Sequence, residues 1–266
     1  MAPRSPILNL MVRAAQRAAR GLKRDFGEIE QLQVSRKGPA DFVSTADLHA
    51  EKVLREELTK ARPEFGLLGE EGSLREPDAT GRRWIIDPLD GTTNFLHGLP
   101  HFAVSIGLEQ RGTLVAGVVY DPVKDELFCA ERGGGAFLND RRLRVSGRSR
   151  LDEALIGTGM PFKGHGDVEL YLKELGWILP EVAGLRRNGA AALDLAYVAA
   201  GRFDGFWERG LKSWDVAAGV LLVREAGGYV SAVDGRDFTL EGGDVLASNG
   251  ELHDRLSALL RGRGKG

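Results

Sequence analysis

One cysteine, Cys129, stands in 266 residues. That count excludes an internal disulfide framework and fits a reducing compartment. Cys129 lies in the apolar stretch Leu127-Phe128-Cys129-Ala130, which reads as core rather than as a reactive thiol. An excess of either charge is also missing: 36 Lys and Arg face 38 Asp and Glu, for a net charge of −2. No global field therefore draws the chain to nucleic acid or to an anionic membrane. Solvated faces account for the locally basic stretches Arg20 to Arg24 and Arg141 to Arg150. Long hydrophobic runs are absent. The N-terminal one covers only Ile7 to Val12 before Arg13, too short for a secretory segment or a bilayer span. A cytoplasmic protein without a membrane partner is expected. There are no repeats, low-complexity segments or obvious linkers. Gly133-Gly134-Gly135 is followed by no Gly-Lys-Ser/Thr and is flanked by strand-like sequence, which excludes a phosphate-binding loop of that type.

What is present is ordinary globular material, 42% hydrophobic and 28% charged, ample for a core. The length allows one large or two fused domains. Against this background Trp84-Ile85-Ile86-Asp87-Pro88-Leu89-Asp90-Gly91-Thr92-Thr93-Asn94-Phe95 stands out. Three bulky apolar residues read as a buried strand that ends at the Asp87 carboxylate, because Pro88 lacks the N–H a ladder needs. Asp90-Gly91 is a turn signal, and Gly91 lets the backbone approach a ligand. Two carboxylates, the Leu89 carbonyl and two threonine hydroxyls are hard oxygen donors that suit Mg²⁺, and no nearby His/Cys spacing suggests zinc. Two further carboxylate sites lie at element edges: Gly69-Glu70-Glu71-Gly72 after the run Phe65 to Leu68, and Ser213-Trp214-Asp215 before Val216 to Ala226.

With these three motifs in this order and at these spacings, the chain resembles the inositol monophosphatase family of Mg²⁺-dependent phosphatases, from about Lys37 to about Asn249. The resemblance implies a layered αβαβα sandwich of the sugar-phosphatase superfamily. It implies that Glu70, Asp87 and the Leu89 carbonyl hold one Mg²⁺, and that Asp87, Asp90 and Asp215 hold a second, with Asp87 bridging. Glu70 would reach a third, hydrated ion, with Lys37 and Asp47 as its expected neighbours. Glu70 and Thr92 would orient the attacking water, and Gly91 and Thr92 would offer backbone N–H groups to the phosphate. No side-chain nucleophile stands beside a base, so direct water attack is expected. For the leaving alcohol, Glu208 matches the family carboxylate that accepts ring hydroxyls and Ala191 the main-chain contact on the same ring. Ala190 stands where many members carry Ser or Thr. Arg186 and Arg187 could face substrate or a dimer partner, and a homodimer is expected.

The whole chain, 1–266, reads as a single unit of this kind: 1–150 a metal- and phosphate-binding half with an antiparallel sheet, 151–266 an α/β half carrying Asp215 and the polyol pocket. Ser5-Pro6 opens a helix with Ile7, Leu10, Met11, Ala14, Ala18 and Leu22 at helical spacing. Asp47 or Thr45 is expected to cap a helix to about Arg62. His101 to Val145 reads as an antiparallel meander with strands at 101–109, 113–120, 126–130, 136–138 and 143–145. His97 and His101 read as structural histidines. The second half reads as strands at 154–158, 203–207, 229–232 and 245–248 and helices at 167–178, 188–200, 214–226 and 252–260. Hydrolysis of myo-inositol monophosphate is the leading expectation. Fructose 1,6-bisphosphate, 3′-phosphoadenosine nucleotides and histidinol phosphate are substrates of related enzymes. Thr92-Thr93-Asn94-Phe95 looks like the inositol phosphatase form. A regulatory protein binding RNA or transcription machinery is the competing class, opposed by balanced charge and a complete acidic set.

Overall fold

The computed structural model describes residues 4–28, 34–38, 41–77, 79–162 and 166–262, with 34–43 described through the backbone only. The first helix, α1 (Pro6–Phe26), is capped by the Ser5 hydroxyl, which accepts the Leu8 N–H, and buries Leu8, Leu10, Met11, Ala14, Ala18 and Leu22. A hairpin of β1 (Val34–Gly38) and β2 (Asp41–Ser44) leads into α2 (Thr45–Ala61). The cap of α2 is Ser44, not Asp47 or Thr45. Asp47 sits at the third position instead, its carboxylate accepting the Ser44 N–H at 2.9 Å in a capping box.

Eight strands follow in one sheet: β3 (Gly66–Gly69), β4 (Leu74–Arg75), β5 (Arg82–Asp90), β6 (Ala103–Gln110), β7 (Thr113–Asp121), β8 (Glu126–Glu131), β9 (Gly135–Leu138) and β10 (Arg141–Arg142). Their order is β10-β9-β8-β7-β6-β5-β3-β4, so the expected meander is present from β6 onward. Residues 143–145 do not form its last strand; the pairing stops at Arg142. Only β3 and β5 run parallel. The short α3 (Thr92–Leu96) hangs from the end of β5. The second sheet, in the order β12-β11-β13-β15-β14, is built from β11 (Leu155–Thr158), β12 (Gly184–Arg186), β13 (Gly205–Glu208), β14 (Tyr229–Ser231) and β15 (Val245–Ser248). The helices α4 (Val168–Ile178), α5 (Ala191–Ala199), α6 (Ser213–Glu225) and α7 (His253–Leu260) complete the chain.

The layers follow from which faces are apolar. Trp84 and Ile86 of β5 point into the core shared with α1 and α2, whereas Ile85 points into the core shared with α5 and α6. A strand buried on both faces has no polar side, which is why it reads as a continuous hydrophobic run. The middle helices are rich in alanine and meet glycines on the sheet: a Cβ on Gly107 would stand 2.7 Å from that of Ala217. The third core, with Trp207, Leu246, Leu256 and Leu259, lies under α4 and α7 on the far side of the second sheet. The result is an αβαβα sandwich. Among the described residues no helix is long and apolar enough to cross a membrane.

Candidate active site

Asp87 does not end its strand. β5 continues to Asp90 through an irregularity in which three steps from Asp87 to Asp90 face two from Ser105 to Ala103. Pro88 lies inside that bulge, where a missing N–H costs no ladder bond. The extra residue re-aims the strand end, and the Leu89 N–H turns back to Asp87 Oδ1 at 2.9 Å. The parallel register sets Gly69 beside Ile86, and the Glu70 N–H reaches the Ile86 carbonyl at 3.3 Å. Glu70 therefore leaves β3 at the level of Asp87, and the two side chains are hydrogen-bonded to each other. Asp215 comes from the opposite layer, in the first turn of α6, where it accepts the Lys212 N–H at 2.7 Å.

Asp90 has a second attachment that its motif does not announce. Its two oxygens accept the N–H groups of Ala191 at 3.1 Å and Ala192 at 2.8 Å. The residue before α5, Ala190, offers no capping side chain, so Asp90 caps that helix from the other half of the molecule. The helix expected from Asn188 consequently begins at Ala191, and Asn188-Gly189 form a loop. Asn94 clamps this loop to the first motif, its side-chain amide donating to the carbonyls of His101 at 2.9 Å and Asn188 at 2.8 Å. The Ala191 N–H is thus donated to Asp90.

Burial is the main cause that pushes Asp87 well above the usual carboxylate range, and Glu70, Asp90 and Asp215 push it further. Asp90 is pushed up to about 7 by burial, against the pull of the α5 amides. Asp215 is also pushed up to about 7, by burial opposed by its backbone hydrogen bond. None of Asp87, Asp90 and Asp215 has a Lys or Arg among the described residues at ion-pairing distance. Negative charge gathered in this way, offset at Asp215 in part by the charge of Lys212, calls for a further cation. Among the described residues no three His, Cys, Asp or Glu side chains are grouped so that they could hold a metal ion as they stand. Asp87 and Asp90 accept main-chain N–H groups instead. The donors themselves, carboxylates and a carbonyl, are those of a hard oxygen-liganded cation such as Mg²⁺.

Thr92 opens α3 after Gly91, whose φ of +93° is a left-handed conformation natural to glycine. The Thr92 hydroxyl lies 3.1 Å from Asp47 Oδ1 and 3.0 Å from the Leu89 carbonyl. Asp47 is fully buried, and burial raises its pKa despite the hydrogen bonds from Ser44 and Thr92. Asp47 thus stands at the site. The side chain of Lys37 lies outside the described residues. His97 and His101 hold no acidic partner of the cluster; His101 contributes its carbonyl to Asn94, and burial lowers its ring pKa to about 4.

Glu208 ends β13, and its carboxylate occupies the space a side chain at Gly159 would need. Burial raises its pKa, helped by Asp215, Asp194 and Asp90 and opposed by Arg187. Glu208 is therefore electrostatically part of the same site. Arg187 packs against Gly189, and its charge acts on Glu208; Arg186 donates to its neighbour's carbonyl at 2.8 Å, and both arginines are exposed. Asp194 of α5 is buried, accepts the Asn188 side-chain amide at 3.0 Å, and is raised by burial and Asp90. The sequence signals Glu208 through its strand end. Asp194 carries no such signal, since its partner is made by the 188–190 loop.

The inositol monophosphatase family pattern matches residues 4–265. A Rhizobium meliloti protein named inositol-1-monophosphatase is 57% identical over 258 residues, 97% of each chain. A Pseudomonas aeruginosa protein named Nus factor SuhB is 49% identical over 248 residues, 92% of each chain. Among solved structures, the extragenic suppressor protein suhB of Bartonella henselae is 55% identical and superposes with a TM-score of 0.94, over 97% of this chain and 99% of that one. The αβαβα layers agree with these matches, and the chain belongs to the inositol monophosphatase family.

Proposed function

We propose that this enzyme, a phosphoric monoester hydrolase by family, is a Mg²⁺-dependent phosphatase that converts myo-inositol monophosphate to inositol and phosphate. One observation carries the reading: the carboxylates of Glu70, Asp87, Asp90 and Asp215, brought from three separate parts of the chain, bear on one another electrostatically, and burial raises Asp87, Asp90 and Asp215. The ions would be held by Glu70, Asp87, the Leu89 carbonyl, Asp90 and Asp215, two to three per site. Mg²⁺ bound there would offset the charge of the phosphate dianion, activate the attacking water and stabilise the leaving alkoxide. The chain supplies the rest. Asp87, which feels the charge of the other three carboxylates, would be the shared ligand. Glu70 and Thr92 orient the attacking water, with Asp47 within reach of the Thr92 hydroxyl to take up its proton. The first amides of α3, after Gly91, have no helical carbonyl partner and suit the phosphate oxygens. Glu208 and Arg187 face the alcohol, Glu208 as acceptor for ring hydroxyls. The protein is read as cytoplasmic and homodimeric.

The test is a panel of phosphate esters assayed with Mg²⁺, with EDTA, and with Mg²⁺ restored. Activity on inositol monophosphate that EDTA abolishes and Mg²⁺ returns is the expected result; equal activity in EDTA overturns the metal reading. By family resemblance, lithium at millimolar concentration inhibits. A second reading, a transcription-linked role, is favoured by the relatives named Nus factor SuhB. Salt titration of RNA binding separates the two, because a phosphate-contacting surface must weaken steeply with salt.

A further inference from the structure

Glu51 lies one helical turn after Asp47 on α2, with only 3% of its surface exposed. Its carboxylate accepts the Glu71 N–H on Oε2 at 2.7 Å and the Ser73 N–H on Oε1 at 3.0 Å. Both oxygens are thus spent on one loop, the loop that carries Glu70. Gly69 makes the approach possible: a Cβ there would stand 2.6 Å from Oε2, well inside contact distance. The rest of the loop is tied as well, with the Gly69 N–H on the Ser73 carbonyl at 2.7 Å and the Glu70 N–H on the Ile86 carbonyl at 3.3 Å. The strand ladder fixes where the loop starts. The Glu51 carboxylate is the one side chain shown to accept two of its amides, and it fixes the course of the loop after Glu70.

We propose that Glu51 is the positioning residue of Glu70, gripping the 69–73 loop from α2 so that the Glu70 carboxylate meets Asp87. The consequence for metal binding rests on reading Glu70 as a ligand; the grip on the loop does not. A carboxylate accepts both amides, whereas the side chain of Glu51→Gln has one acceptor oxygen and turns an NH₂ toward the second amide. One loop amide then loses its partner. Gly69→Ala reaches the same end without altering Glu51, by driving its carboxylate off the loop.

Hydrogen exchange on the metal-free protein reads the loop directly. In both variants the Glu71 and Ser73 amides should exchange at least about tenfold faster than in the parent, while the β5 ladder keeps its protection. Mg²⁺ titration by calorimetry should show affinity falling about tenfold or more, the range for partners that orient a ligand. At saturating Mg²⁺, kcat should recover most of its loss, because the ligand is still present. Unchanged exchange at both amides overturns the proposal. So does a lowered melting temperature with unchanged Mg²⁺ affinity in the folded protein, which is what a merely structural carboxylate gives. If the parent chain binds no Mg²⁺, the metal reading fails by itself, and the exchange data still decide the role of Glu51.

Discussion

Asp87 and Asp90, three residues apart, differ in what holds them, and substitution should separate them. Asp87 accepts one main-chain N–H and is surrounded by like charge. Asp87→Asn keeps an acceptor for the Leu89 N–H and removes repulsion, so the metal-free protein should melt at the same or a higher temperature. Its kcat should fall by more than the about 10–100-fold typical of an outer partner, because Asp87 as the proposed shared ligand would serve two ions. Asp90→Asn should lose activity and stability together, since the amide cannot accept both Ala191 and Ala192 N–H groups and the α5 cap is worth about 1 kcal/mol. Thermal melts in EDTA beside kcat measurements check both; wild-type kcat in Asp87→Asn would sink the bridging assignment. Glu208 is proposed to answer to substrate. A charge-assisted hydrogen bond is worth roughly 1.5–3 kcal/mol, so Glu208→Gln should lose about tenfold or more in kcat/KM on inositol phosphate. On p-nitrophenyl phosphate, which lacks ring hydroxyls, it should lose little; equal losses would move Glu208 into the metal shell or the fold. Glu70, Asp87, Asp90 and Asp215 were legible as candidates in the sequence because each sits in a local motif. Glu51, Asp194 and the Thr92 contact of Asp47 were not, because their partners lie 20, 6 and 45 residues away and exist only once the chain has folded.

Elements place those residues, and α6 sets the depth of Asp215. It rests on β6 and β7 through close glycine contacts: a Cβ on Gly107 would stand 2.7 Å from that of Ala217, and one on Gly117 would stand 3.0 Å from the Ala218 backbone. Gly107→Ala inserts a methyl where none fits, and α6 must lift from the sheet. Overpacking of this kind costs about 1–3 kcal/mol, and Asp215 should move away from Asp87 with the helix. A lower melting temperature and a raised Mg²⁺ requirement are expected; a fall in melting temperature with unchanged Mg²⁺ response would show that α6 tilts without moving its first turn. The long periodic elements were readable: α6, β7 and β15 lie within a residue of their observed bounds, and α1 begins at Pro6 as expected. Elements made by tertiary context were not. The five residues of α3 are too short for a period, and β12 has three residues held only by parallel pairing with β11. The strand β5 outran its apparent stop at Pro88 because a bulge absorbs the missing donor, a feature no propensity encodes.

At the scale of the molecule, the first sheet with α2 carries Glu70, Asp87 and Asp90, the middle layer carries Asp215, and the second sheet carries Glu208, so folding itself gathers like charge. That charge has a pH signature. In the folded, metal-free protein Asp90 and Asp215 are pushed up to about 7, while in the unfolded chain both titrate near the ordinary 3.8. Between these values the native state holds protons that the unfolded state has released, so stability falls as pH rises from about 4 through about 7. A cation that binds the deprotonated cluster must act against this loss, and its own binding must expel the protons. Melting temperatures taken in EDTA and in saturating Mg²⁺ should therefore lie close together at pH 5.5 and diverge by pH 8, with proton release on Mg²⁺ binding greatest between them. Calorimetry in two buffers of different ionisation enthalpy counts those protons. A Mg²⁺ shift in melting temperature that is the same at pH 5.5 and pH 8, with no proton release, would mean that the ion binds away from Asp90 and Asp215.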